Sequence, residues 1–184
     1  MIKVAPATDG EYNVHESVKK IEDFCFYGCN NITKITIPES VKTVGLSAFS
    51  GCSKLEAVDF QGDECDIDEY AFENCKSLRK VNLPKGLKRL LRGAFMNCTS
   101  LESVYIPDSV LHIGRPELEG KIEHSECVFA GCTNLSEISI SDKIEYISKR
   151  AFNGCNNLKK VVVRGCLSEV IKQAFSHIKG ISFI

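Results

Sequence analysis

A segment of 23 residues recurs along this chain, and the recurrence leaves it few ways to fold. Ser47 to Phe60 reads SAFSGCSKLEAVDF, Tyr70 to Leu83 reads YAFENCKSLRKVNL, and Gly93 to Ile106 reads GAFMNCTSLESVYI. A pair marks each copy: Ala48-Phe49, Ala71-Phe72, Ala94-Phe95, Ala151-Phe152 and Ala174-Phe175, with Cys25-Phe26 and Val128-Phe129 as variants. Every step is 23 residues except that from Ala94 to Val128, which is 34 and so holds 11 extra residues. A fixed period in this range is the signature of stacked supersecondary units.

Inside a unit the apolar period changes. Ala48, Cys52 and Leu55 stand at i, i+4 and i+7, the spacing of one face of a short helical turn. From Leu55 the spacing shifts to Val58 and Phe60, the alternation of a strand. The shift recurs at Ile35/Ile37, Val81/Leu83, Val104/Ile106, Ile138/Ile140 and Val161/Val163, and Pro38, Pro84 and Pro107 end three of these strands. A second apolar pair returns the chain at Val41/Val44, Leu87/Leu90, Val110/Ile113, Ile144/Ile147 and Leu167/Val170. One such coil cannot bury its apolar side alone, whereas stacked coils share a continuous core. The expected fold is an α/β repeat solenoid with one parallel sheet and short helical turns or loops opposite it.

Seven of the ten phenylalanines hold the paired slot, so a column of buried rings is expected. Six of the ten cysteines (Cys29, Cys52, Cys75, Cys98, Cys132, Cys155) also share one slot. Stacked copies project in parallel, while a disulfide needs converging Cβ vectors. Reduced thiols packed as small apolar groups are therefore expected. Cys65, Cys127 and Cys166 fall outside the slot, as does Cys25, which replaces the alanine of its pair and is expected in the core.

Ile32 to Gly45, ITKITIPESVKTVG, and Leu101 to Gly114, LESVYIPDSVLHIG, are similar to the signature of the BspA-type leucine-rich repeat. The resemblance spans nearly the whole chain in seven registered copies. It implies a right-handed leucine-rich-repeat horseshoe with a concave parallel sheet, used to bind protein. It also implies an adhesin-like role toward host or matrix proteins, at a cell surface or after secretion. No catalytic motif comes with it. The second copy departs from the pattern, with QGDECDIDEY where the proline stretch should be.

The expected organisation is one domain over residues 1–184. Residues 1–24 form an N-terminal half-repeat cap, 25–173 hold six repeats with the insertion within 115–127, and 174–184 form a partial repeat. That last stretch, AFSHIKGISFI, is apolar where solenoids usually end in a polar cap, which opens the option of a homodimer through a terminal edge. Basic and acidic residues number 23 and 24, and no like-charge run appears, which argues against nucleic acid as a partner. No stretch approaches the 18 or so apolar residues of a membrane span, so no membrane insertion is expected. No export signal is present in the chain as written, which reads as cytoplasmic unless it belongs to a longer surface protein.

Convergent chemistry is not visible, and neither an enzyme nor a cofactor is expected. The four histidines occupy unrelated repeat positions. His112 and His124, with Glu126 and Cys127, form only a weak metal pattern. Strand alternation instead defines a surface of three outward columns. The first is Lys34, Ala57, Lys80, Ser103, Glu137, Lys160; the second is Thr36, Asp59, Asn82, Tyr105, Ser139, Val162; the third is Pro38, Gln61, Pro84, Pro107, Ser141, Arg164. Partner-binding candidates on this face are Tyr105, Ser103, Asn82, Asp59, Lys80 and Arg164, joined by Glu117 and Glu119 in the insertion. Tyrosine leads because interface hot spots favour it, although an exposed strand tyrosine also fits β-propensity alone. A protein-interaction module is favoured. The alternatives are a glycan-binding module, which the scarcity of aromatics on the sheet disfavours, and an intracellular scaffold.

Overall fold

The structure, a computed structural model, describes residues 10–115 and 126–184. Six coils each contribute a long strand and then a two-residue strand. These are β1 (Gly10–Asn13) and β2 (Lys20–Ile21), β3 (Ile32–Ile37) and β4 (Thr43–Val44), and β5 (Ala57–Phe60) and β6 (Asp66–Ile67). They continue with β7 (Lys80–Asn82) and β8 (Arg89–Leu90), β9 (Ser103–Tyr105) and β10 (His112–Ile113), and β11 (Glu137–Ser141) and β12 (Tyr146–Ile147). Then come β13 (Lys160–Arg164), α1 (Glu169–Phe175) and β14 (Ser182–Phe183).

All pairing is parallel, each strand beside its counterpart in the next coil. The long strands form two four-stranded sheets, β1-β3-β5-β7 and β9-β11-β13-β14. The return segments, expected only as apolar connectors, are strands themselves and form a second wall, β2-β4-β6 and β8-β10-β12. Each offers one buried apolar residue (Ile21, Val44, Ile67, Leu90, Ile113, Ile147) after a more exposed one. In the irregular third coil, Ile67 keeps that place and Cys65, outside the cysteine slot, is buried nearby.

The third wall corrects the expected helical turns. The N–H groups of Ser47, Phe49 and Gly51 donate to the carbonyls of Glu69, Ala71 and Glu73 in the next coil, at 3.0, 2.7 and 2.8 Å. Those of Ala48, Ser50 and Cys52 donate three residues back within their own coil. A helix would keep every N–H within its own coil; here each second one ties neighbours together. Left-handed backbone recurs in two slots, at Phe24, Ser47, Tyr70 and Gly93, with φ between 50° and 62°, and at Gly28, Gly51, Asn74, Asn97, Gly131 and Gly154, with φ between 58° and 77°. Glycine and asparagine tolerate that region best.

The buried residues form one cluster running along the coils. Phe26, Phe49, Phe72, Phe95, Phe129, Phe152 and Phe175 stack in order, with centroids 4.8–5.5 Å apart. Such pairs add about 0.5–1.5 kcal/mol each beyond their burial. The cysteine column is reduced and mostly buried, and it is not merely apolar. Each thiol from Cys52 onward donates to a phenylalanine carbonyl of the preceding coil: Cys52 to Phe26 at 3.0 Å, and Cys75, Cys98, Cys132 and Cys155 to Phe49, Phe72, Phe95 and Phe129 at 3.2 Å. Burial pushes the Cys52, Cys65 and Cys155 thiols up to about 12 and raises Cys75, Cys98 and Cys132 well above the ordinary range. Cys29, at the end of the column, is only half-buried, and so is Cys25.

The last coil departs from the expected pattern. Leu167 and Val170 do not form a return strand, because Ser168 caps α1 by accepting from the Ile171 N–H and the chain turns helical. Ile171, Ala174 and Phe175 fill the core instead, and Leu167 is left exposed. The chain does reach the next strand: β14 pairs Ser182 with Lys160 and Phe183 with Val161, one residue short of the 23-residue spacing. No helix among the described residues is long and apolar enough to cross a membrane.

Candidate functional site

Register places the outward side chains of the long strands in rows. Lys34, Ala57 and Lys80 are partners across β3, β5 and β7, as are Thr36, Asp59 and Asn82. Ser103, Glu137 and Lys160 are partners across β9, β11 and β13, as are Tyr105, Ser139 and Val162. The two sheets part between β7 and β9, so Lys80 and Asn82 lie on one side of that break and Ser103 and Tyr105 on the other.

Much of the charge on this face is neutralised in place. Lys34 pairs with Glu11 at 3.7 Å and Lys160 with Glu137 at 2.8 Å. Asp59 accepts from Gln61 Nε2 at 2.8 Å. Exposed pairs of this kind contribute roughly 0–1 kcal/mol to stability, so their main effect is to leave the surface electrically mixed.

The third column is a surface column only in part: Gln61 is exposed and Pro38 half-buried. Pro84, Pro107 and Ser141 are buried, because the chain turns inward directly after the second outward residue. Arg164 escapes that fate by reaching back across two coils. Its Nε and Nη2 donate to Asp108 Oδ1 at 3.1 and 2.6 Å, Nη1 donates to Ser139 Oγ at 2.6 Å, and Nη2 also donates to the Ile106 carbonyl at 2.5 Å. Its guanidinium carbon sits 4.1 Å from the centroid of the Tyr105 ring. Tyr105 nevertheless remains 56% exposed. The structure thus brings together Tyr105, Arg164 and the neighbouring Ser103. Lys80, Asn82 and Asp59 lie on the same outward face across the break, whereas Glu117 and Glu119 lie outside the described residues.

Two features went unseen in the sequence. Asp108, the anchor of Arg164, follows the strand in a turn and belongs to no outward column. Phe24 and Tyr27, 48% and 62% exposed, meet edge to face at 6.1 Å on the turn wall, away from the sheet.

The root of the insertion is ionic. Arg115 contacts Glu69 at 2.7 Å and Glu126 at 3.3 Å, and Arg92 lies 3.7 Å from Glu126, whose carboxylate is almost wholly buried. Two guanidinium groups offset the buried charge at Oε1, while Glu126 Oε2 and Arg92 Nε are buried without a hydrogen-bond partner among the described residues. His112 pairs with Glu145 at 3.3 Å, while His124 is outside the described residues. No group of three or more His, Cys, Asp or Glu side chains fit to hold a metal occurs among the described residues.

This coil, with its phenylalanine stack and its cysteine in a constant slot, matches one family model. The model for the BspA type leucine rich repeat region fits six copies, over residues 10–121 and 121–184. The chain belongs to the BspA-type leucine-rich repeat family. Among solved structures it is similar to a leucine-rich repeat protein from Bacteroides ovatus, with 30% identity and a TM-score of 0.75 over 95% of this chain. The chain spans 42% of that protein's length. A T. pallidum leucine-rich repeat protein shares the fold at 24% identity and a TM-score of 0.63, over 92% of this chain and 83% of its own. A leucine-rich cell surface protein from Faecalibacterium prausnitzii does so at 21% identity and 0.57, over 97% of this chain and 37% of its own. No curated protein matches. Leucine-rich repeat proteins are in general protein-interaction modules and typically not enzymes.

Proposed function

We propose that this leucine-rich repeat array is a non-catalytic binding module whose outward long-strand face holds a protein partner, with Tyr105 at the centre of the contact. The observation that carries the reading is a tyrosine more than half exposed on a sheet face whose other groups are polar and largely paired. Exposed tyrosine on a rigid support is the kind of residue that dominates interface energetics. Ser103 and Asn82 flank it as hydrogen-bonding groups, and Lys80 and Asp59 supply charge at the rim. A right-handed, curved array with this face on its concave side, and an adhesin-like role toward host or matrix proteins, complete the proposal. A surface location for a leucine-rich relative of similar fold is consistent with it.

An array of purified extracellular-matrix proteins, probed with the wild-type chain and with Tyr105→Ala, tests the reading. Loss of a hot-spot tyrosine costs about 2 kcal/mol or more, which is roughly a thirtyfold loss of affinity. A partner bound equally by both chains would remove Tyr105 from the interface.

A further inference from the structure

We propose that Arg164 is a positioning residue for Tyr105, not a contact residue, and that it makes the open ring face selective for apolar or aromatic side chains of the partner over lysine and arginine. The inference rests on the binding reading above and adds the chemistry that the partner must present.

Hydrogen-bond capacity comes first. A guanidinium has five N–H groups. Arg164 commits four of them: one from Nε and one from Nη2 to Asp108, one from Nη1 to Ser139, and the other from Nη2 to the Ile106 carbonyl. Little remains for a carboxylate arriving from outside. Those bonds hold the guanidinium over one face of the Tyr105 ring, 4.1 Å from its centroid. The 56% of Tyr105 still exposed must therefore come from the opposite face and the ring edge.

Charge decides what that opposite face accepts. A ring attracts a cation through the negative potential above its plane. Arg164 already occupies one side of the Tyr105 ring. A second cation on the other side would compete for a ring already engaged by Arg164, whose positive charge Asp108 offsets only in part because it sits beside the guanidinium and not over the ring. Apolar and aromatic groups face no such competition and stack on the immobilised ring without ordering it first. Asp108 and Ser139 act through Arg164 and belong to the same device.

A random nonapeptide display library, selected separately on the wild-type chain and on Arg164→Gln, Arg164→Met and Tyr105→Ala chains, tests the inference. Wild-type selections are expected to be rich in aromatic and apolar residues and poor in lysine and arginine. In Arg164→Gln selections the frequency of lysine and arginine should rise about threefold or more. Arg164→Met, which removes the same charge while keeping a long side chain, should shift it in the same direction, and it serves as the second variant if the first folds poorly. Tyr105→Ala should lose the enriched peptides. The carbon-13 ring signals of Tyr105, identified by their absence in Tyr105→Ala, should move in Arg164→Gln, which a role confined to stability would not produce. If lysine and arginine are equally rare with and without Arg164, or if the Tyr105 signals stay in place, the positioning role is overturned while the binding face stands. If Tyr105→Ala selects the same peptides as wild type, the binding face itself falls.

Discussion

Raising the pH should unfold this protein abruptly, and the cysteines set where. Six buried thiols (Cys52, Cys65, Cys75, Cys98, Cys132 and Cys155) are held protonated, three of them up to about 12. In the unfolded chain a thiol ionises near about 8.5. A folded-state value raised above the unfolded one means that the native state binds the proton more tightly. The stabilisation is therefore complete below about pH 8.5 and is lost as pH climbs toward about 12. Above the unfolded value each thiol removes about 1.4 kcal/mol per pH unit, or about 2 kcal/mol by pH 10. Six together remove about 12 kcal/mol, which is comparable with the whole stability of a typical native protein, about 5–15 kcal/mol. Urea unfolding followed by circular dichroism at pH 8, 9, 9.5 and 10, in the presence of a phosphine reductant, measures the slope. A chain carrying Cys75→Ala and Cys98→Ala should be less stable at pH 8 yet lose about 2.7 kcal/mol less per pH unit. Equal slopes for the two chains, or a wild-type slope no larger than a single thiol supplies, would refute the reasoning.

Two further outcomes test the packing. Phe95→Ala, in the middle of the ring column, should cost about 3–5 kcal/mol in denaturant unfolding, and more than Phe26→Ala, whose ring stacks on a single neighbour of the column. Gly131→Ala should cost more than 1 kcal/mol, because φ is +76° there and the new Cβ would fall on Asn97 Oδ1. Gly28→Ala, at a similar φ but with open space around it, should cost less, and equal losses would contradict the steric part of the account.

The phenylalanine and cysteine columns were legible because stacking is translationally repetitive: a slot filled by the same residue in every copy must meet the same surroundings in every copy. Spacing alone misjudged the turn wall. Ala48, Cys52 and Leu55 fit one face of a helix, and they fit equally well a turn that bonds outward at alternate residues. The discriminating signal was the recurrence of glycine or asparagine at positions 28, 51, 74, 97, 131 and 154, residues that helices disfavour. The second wall was hidden because a two-residue strand with one buried side chain shows no period. Ser168 three residues before Ile171, with Glu169 between, marked the start of α1, yet the repeat pattern argued for a return strand in that place. Tyr105 and Arg164 were both visible as outward residues. Their contact was not, because it depends on how far an arginine reaches over Ser139 to a carboxylate, Asp108, that the strand pattern does not display.

The alternating amides of the turn wall decide where such an array tolerates added sequence. The turn wall and, within each sheet, the strand walls are laced to their neighbours by main-chain bonds, so an extra residue within a laced side would throw later rungs out of step. Slack exists only at the bends between sides, and the 11 surplus residues enter at one of them, between Gly114 and the rungs that resume with Val128 accepting from Phe95. New segments grafted at that bend should leave the lacing untouched, whereas the same segments placed two residues beyond Val128 should unravel it.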